Sequence, residues 1–185
     1  MTFARLTRKV LMLAAAAALL VTVGCSKGEE KKITLAYVAW DSEIASTHVV
    51  KRVLEDRLGY QVEMMQVDAG PIWAGVSDGS ADAMVAAWLP TTHQSYYESF
   101  EGQFVDLGPN MEGTKIGLVV PAYWDAQSIE DLKKPEYADA VGRQIIGIEP
   151  GAGVMMTTEA AMDAYGLTDW TLVESSSAAM ASELL

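Results

Sequence analysis

The chain has 185 residues, half of them hydrophobic, and a formal net charge of −12. That length holds one domain or two small lobes, with apolar content ample for a real core. So acidic a surface repels phosphate backbones and speaks against nucleic-acid partners, and a lone cysteine, Cys25, excludes a disulfide framework.

Arg5, Arg8 and Lys9 precede an apolar run from Val10 to Val23. The run is short for a bilayer and ends among small residues, so residues 1–24 read as a signal peptide. Cys25 follows Gly24 directly and resembles a bacterial lipoprotein box, in which Cys25 is lipidated and becomes the first mature residue. Ordinary signal cleavage beside a stray cysteine is the alternative. Residues 25–32 are polar and charged and read as a tether from membrane to domain. Loss of the leader takes three basic residues with it and leaves the mature chain more acidic still.

Ile33 to Ala39 is short, apolar and rich in β-formers, the pattern of a buried strand. A turn follows at Trp40, with Asp41 and Ser42 where a helix N-cap belongs. Ile44, Val50, Val53, Leu54 and Leu58 then recur at helical spacing, opposite Lys51, Arg52, Glu55 and Asp56. Gln61 to Val67 is a second strand. Pro71 starts a short helix to Val76. Ala83 to Trp88 is a third strand, and Thr91 or Thr92 caps a helix through Phe100. Phe104 to Leu107 and Lys115 to Val120 read as further strands, the latter ended by Pro121. The pattern then restarts. Ser128 caps an acidic turn from Ile129 to Lys133, and Gln144 to Ile148 is a strand. Glu149-Pro150-Gly151-Ala152-Gly153 is a turn into a helix ended by Gly166. Trp170 to Glu174 is a strand, and Ser175-Ser176-Ser177 caps a helix running to Leu185. Strands alternating with helices predict an α/β fold with mostly parallel sheets. The expected lobes are residues 33–120 and 121–185, hinged at Val120-Pro121. The chain stops inside an apolar helical run, so a C-terminal truncation and an incomplete second lobe are expected.

The first turn carries the chemistry. Unpaired amides and the macrodipole at a helix start seat a carboxylate or phosphate, and the indole of Trp40 beside them attracts a cation. Together they suit a small zwitterion. Trp88 falls at another strand end, and ligands of open parallel sheets sit beyond such ends. Core packing is the competing role for both tryptophans. Tyr123 and Trp124 offer a second-lobe aromatic wall or hinge packing. The glycine-rich turn at 149–153 lacks the lysine of a phosphate-binding loop and the full dinucleotide spacing, and reads as a turn facing the crevice. His48 and His93 lack metal-ligand spacing. Asp41, Glu43, Asp68 and Asp82 single out no acid–base pair, and no nucleophile motif stands in the chain. No metal, no cofactor and no enzymatic activity are expected. An exported enzyme using crevice carboxylates is the rival reading.

Tyr37-Val38-Ala39-Trp40-Asp41-Ser42-Glu43-Ile44-Ala45-Ser46-Thr47, Ala87-Trp88-Leu89-Pro90-Thr91-Thr92-His93, Val105-Asp106-Leu107-Gly108-Pro109-Asn110, Gly117-Leu118-Val119-Val120-Pro121 and Gly147-Ile148-Glu149-Pro150-Gly151-Ala152-Gly153 resemble the glycine betaine/choline-binding proteins of ABC importers, the OpuAC-like substrate-binding family. The resemblance runs in register from about Ile33 to the last residue. It implies a two-lobed periplasmic-binding-protein fold that closes on its ligand, and an aromatic cage for a trimethylammonium group. It places Trp40 and Trp88 as first-lobe cage residues, the amides near Glu43 and Ile44 on the ligand carboxylate or hydroxyl, and Tyr123 as a second-lobe aromatic. It implies an extracytoplasmic lipoprotein that delivers glycine betaine, choline, carnitine or proline betaine to an ABC permease and ATPase. A sensor lipoprotein serving a membrane receptor is the variant of that reading. Family members continue beyond this pattern, with a late Trp/His-containing segment that completes the pocket.

Overall fold

The computed structural model describes residues 31–184. The expected signal peptide, Cys25 and nearly all of the tether lie outside the described residues. The elements run β1 (Lys32–Tyr37), α1 (Asp41–Leu58), β2 (Gln61–Gln66), α2 (Ala69–Asp78), β3 (Ala83–Met84), α3 (Gln94–Ser99), a 3-10 turn (Ile129–Lys133), α4 (Pro135–Ala138), β4 (Gln144–Ile146), α5 (Gly153–Tyr165), β5 (Thr171–Val173) and α6 (Ser177–Ser182).

Among the described residues all strand pairing is parallel, in two sheets. One has the order β2-β1-β3 and the other pairs β4 with β5. Parallel neighbours need crossovers, and α1, α2 and α5 supply them. The chain leaves β1 for β2 on one side and then crosses back to β3 on the other. Right-handed connections in opposite directions place α1 and α2 on opposite faces of the sheet. The strand order therefore reverses between β1 and β3, and a crevice opens beyond their carboxyl ends. Trp40 follows β1 there, and Trp88 comes four residues after the end of β3.

Leu35 and Ala36 are buried in β1 and Val38 just past its end, and Ala36 and Val38 share a core cluster with Ile72 and Trp73 of α2. Burying a side chain such as Ile72 is worth about 2–3 kcal/mol. The same cluster takes in Ile148, Ala152 and Met155 from the later part of the chain. A second cluster gathers Leu132, Ala138, Leu167 and Trp170, with Trp124 and Ile145 at its margin. Gly59 ends α1 in the left-handed region at φ 70°, its amide donating to the Leu54 carbonyl.

Several expected elements differ. Trp40, in extended conformation, is the N-cap residue of α1. Asp41 already lies in the first turn, and no side chain caps the helix. The buried stripe of α1 carries Glu43 and Thr47, while Val53 and Leu58 are about half exposed. β3 has two residues rather than six, because after Met84 the chain turns away towards Trp88. α2 begins at Ala69, ahead of Pro71. Phe104–Leu107 and Lys115–Val120 are not strands. Neither segment pairs with a described strand, and an isolated extended segment has no ladder to join. Val105, Leu107 and Val119 accordingly face solvent.

Candidate functional site

The site grows from two turns. At the first, the Trp40 amide donates to the Val38 carbonyl at 2.8 Å, and the Trp40 carbonyl accepts the Ile44 amide at 2.8 Å. This fixes Trp40 at the mouth of α1 with its ring 9% exposed. It also commits the Ile44 amide to the helix, which leaves the first-turn amides before it without an intrahelical acceptor.

At the second turn, residues 88–93 close a compact loop. The Trp88 amide donates to Nδ1 of His93 at 3.1 Å, and the His93 amide returns to the Trp88 carbonyl at 3.0 Å. Thr92 Oγ1 donates to that carbonyl at 3.2 Å. The Leu89-Pro90 peptide within the loop is cis. Burial pushes the His93 pKa down to about 4, so the imidazole is neutral at physiological pH. Because Nδ1 accepts a hydrogen bond, the proton sits on Nε2.

The rings converge. Trp40 and Trp88 meet edge to face, with centroids 5.6 Å apart and planes at 78°. His93 lies 5.9 Å from Trp40 and 5.9 Å from Trp73. Trp73 in turn packs against Tyr96, Tyr97 and Phe104. Trp88 is 38% exposed, while Trp40 is almost buried, so the pair reaches the surface through Trp88. The two indoles stand nearly perpendicular at van der Waals distance, and an indole face left free in such a pair attracts a cation.

The Glu149–Gly153 turn presses on this loop from the later block. Trp40 Nε1 donates to Glu149 Oε1 at 2.5 Å, and the Tyr96 hydroxyl donates to the Gly151 carbonyl at 2.8 Å. Gly153 is required by packing: a Cβ there would collide with the Thr92 backbone. The turn expected to face the crevice thus packs on Trp40, Tyr96 and Thr92.

Glu43 is 2% exposed, and neither carboxylate oxygen has a hydrogen-bond partner among the described residues. Burial raises its pKa to about 7, with a smaller opposing pull from the Val38 backbone. Thr47, one turn on and fully buried, likewise has an unpartnered hydroxyl. Ile44 is half-buried beside them. Tyr123 is 85% exposed and makes no ring contact among the described residues, while Trp124 stacks on Tyr137 at 4.9 Å. The structure thus joins Trp40 and Trp88, carries Glu43 and Ile44 in the first turn of the helix that Trp40 opens, and leaves Tyr123 outside this contact network. Sequence reasoning did not single out Trp73, weighed His93 only as a metal ligand, and named Glu149 only as the head of a turn. The available signal was Thr92-His93 closing a loop behind Trp88, and a carboxylate at the head of a glycine-rich turn.

Residues 31–185 match the family described as the substrate binding domain of ABC-type glycine betaine transport systems. The glycine betaine/carnitine transport binding protein GbuC of Listeria monocytogenes is 51% identical over 113 residues, 60% of this chain and 37% of that protein. Among solved structures, lactococcal OpuAC, closed and complexed with glycine betaine, superposes with a TM-score of 0.76 at 42% identity, covering 83% of this chain and 59% of that one. ProX of Borrelia burgdorferi, a glycine betaine/L-proline-binding protein, gives 0.78 at 38% identity, covering 83% and 57%. The chain therefore has the α/β fold of periplasmic binding proteins, and it spans well under two thirds of these relatives. It belongs to the family of substrate-binding domains of ABC-type glycine betaine transport systems.

Proposed function

We propose that the protein captures glycine betaine or a related quaternary amine and hands it to an ABC permease and its ATPase, without chemistry of its own. The observation that carries this reading is the corner of Trp40 and Trp88, 5.6 Å apart at 78°, beside an uncapped helix start. Each indole contact with a desolvated quaternary ammonium contributes about 1–2 kcal/mol. The ammonium takes the corner. The carboxylate of a zwitterion takes the amides of the first turn of α1, which no side chain occupies. The relatives described above take glycine betaine and carnitine, ligands of this class.

Residues 33–120 and 121–185 form the two lobes, hinged at Val120-Pro121; the separate sheets support this division. Tyr123, exposed just past the hinge, is the second-lobe aromatic that reaches the ligand on closure. The chain is exported by residues 1–24 and anchored through lipid on Cys25, as its apolar run and the lone cysteine suggest.

Isothermal titration with glycine betaine, choline, carnitine and proline betaine tests the reading, with unmethylated glycine as control. Heat of binding for at least one quaternary amine, and none for glycine, is expected. Silence towards all four at millimolar ligand overturns it.

A further inference from the structure

The Trp40 indole is held on its polar edge by a residue 109 positions later in the chain: Nε1–H donates to Glu149 Oε1 at 2.5 Å. An indole-to-carboxylate hydrogen bond is charge-assisted and stronger than a neutral one. Glu149 is half-buried, and its backbone belongs to a turn pinned by the Tyr96–Gly151 bond and the close approach of Gly153 to Thr92. The carboxylate is therefore delivered to the indole by rigid backbone on one side and by the helix mouth on the other. Glu149 makes no ion pair with a lysine or arginine among the described residues.

We infer that Glu149 is a positioning and specificity-determining residue: it fixes the plane of Trp40 against Trp88, and its charge, lying along the Trp40 ring, favours a cation in the corner over a neutral group of equal shape. The inference rests on the quaternary-amine reading above. A neutral trimethyl group fills the same corner equally well, so shape and charge can be separated with one pair of ligands. Glycine betaine and 3,3-dimethylbutanoate share their outline and their carboxylate and differ in nitrogen against carbon at the centre.

The test uses the full chain, Glu149→Gln and Glu149→Ala, with two readouts. The first is the Trp40 indole Nε1–H signal in a proton–nitrogen NMR spectrum, assigned by its loss in Trp40→Phe. Glutamine keeps an acceptor and holds the signal near its wild-type place, and alanine moves it. The second is the ratio of affinities for glycine betaine and the carbon isostere. Loss of one unit charge at a partly solvated ring's width lowers that ratio roughly five-fold in Glu149→Gln. Loss of the hydrogen bond as well weakens glycine betaine binding roughly ten-fold or more in Glu149→Ala. An unmoved indole signal in Glu149→Ala, or a ratio unchanged in both variants, overturns the inference while leaving the binding reading intact. Failure of the wild-type chain to bind glycine betaine overturns both.

Discussion

Replacing Glu43 with glutamine removes a buried titration while keeping the side chain's shape. Glu43 is 2% exposed with two unpartnered oxygens, and burial raises its pKa from 4.5 to about 7. The unfolded chain holds this carboxyl at its ordinary value. Between 4.5 and about 7 the folded protein therefore keeps a proton that the unfolded chain has released. Stability from this group is fully present below 4.5 and is lost as pH rises through about 7. One pKa unit corresponds to about 1.4 kcal/mol, so the loss reaches about 2–3 kcal/mol once partial solvation is allowed for. His93 works in the opposite sense. Its pKa is depressed from 6.5 to about 4 by burial, so its contribution is present above 6.5 and is lost as pH falls through about 4. The difference between Glu43→Gln and wild type cancels the histidine. Urea unfolding of both proteins across pH 4.5 to 8.5 should show near-equal stability at the acid end, and the variant ahead by about 2–3 kcal/mol at the alkaline end. Parallel curves across the series would refute the reasoning.

Gly153→Ala forces a methyl into the Thr92 backbone and should lower stability by about 1–3 kcal/mol in the same unfolding assay. His93→Leu leaves the buried-side acceptor of the Trp88 amide missing. It should free the 88–93 loop and raise acrylamide quenching of tryptophan fluorescence, together with a loss of about 1–3 kcal/mol. Asp131 accepts the amides of Gln127 and Ser128 at 2.8 and 3.1 Å and pairs with Lys134 at 2.6 Å, and its pKa falls to about 2, chiefly through that lysine. Its support holds above 3.8 and goes as pH drops through about 2. Asp131→Ala should speed hydrogen exchange at the Gln127 and Ser128 amides and leave the first sheet's exchange unchanged.

The local signals that succeeded were strong ones. Gln61 to Gln66, the Ser128-capped turn and the helix from the 149–153 turn to Tyr165 carry period, caps and a stop in the chain itself, and they stand where expected. Trp88 was expected to end the third strand, but β3 stops at Met84 and Trp88 comes four residues later; its meeting with Trp40 follows from the loop that His93 closes, not from a strand end. The misreadings have a shared cause. Lys115–Val120 has a strand's composition, but a strand is made by its neighbours, and it pairs with none of those described. The α1 stripe was misplaced because a buried Glu43 runs against the rule that charge stays outside. Glu149 and Trp40 are 109 residues apart, and no local pattern announces a contact of that separation.

The central claim is that a trimethylammonium group sits in the Trp40–Trp88 corner. The N-methyl proton resonance of glycine betaine, followed by NMR as the protein is added, tests this most directly. Indole faces shield a group lying over them, so the account predicts an upfield shift and broadening of that resonance with wild type, abolished by Trp40→Ala and by Trp88→Ala. A ligand that binds with its methyl resonance unshifted, or that shifts equally in both variants, would contradict the account.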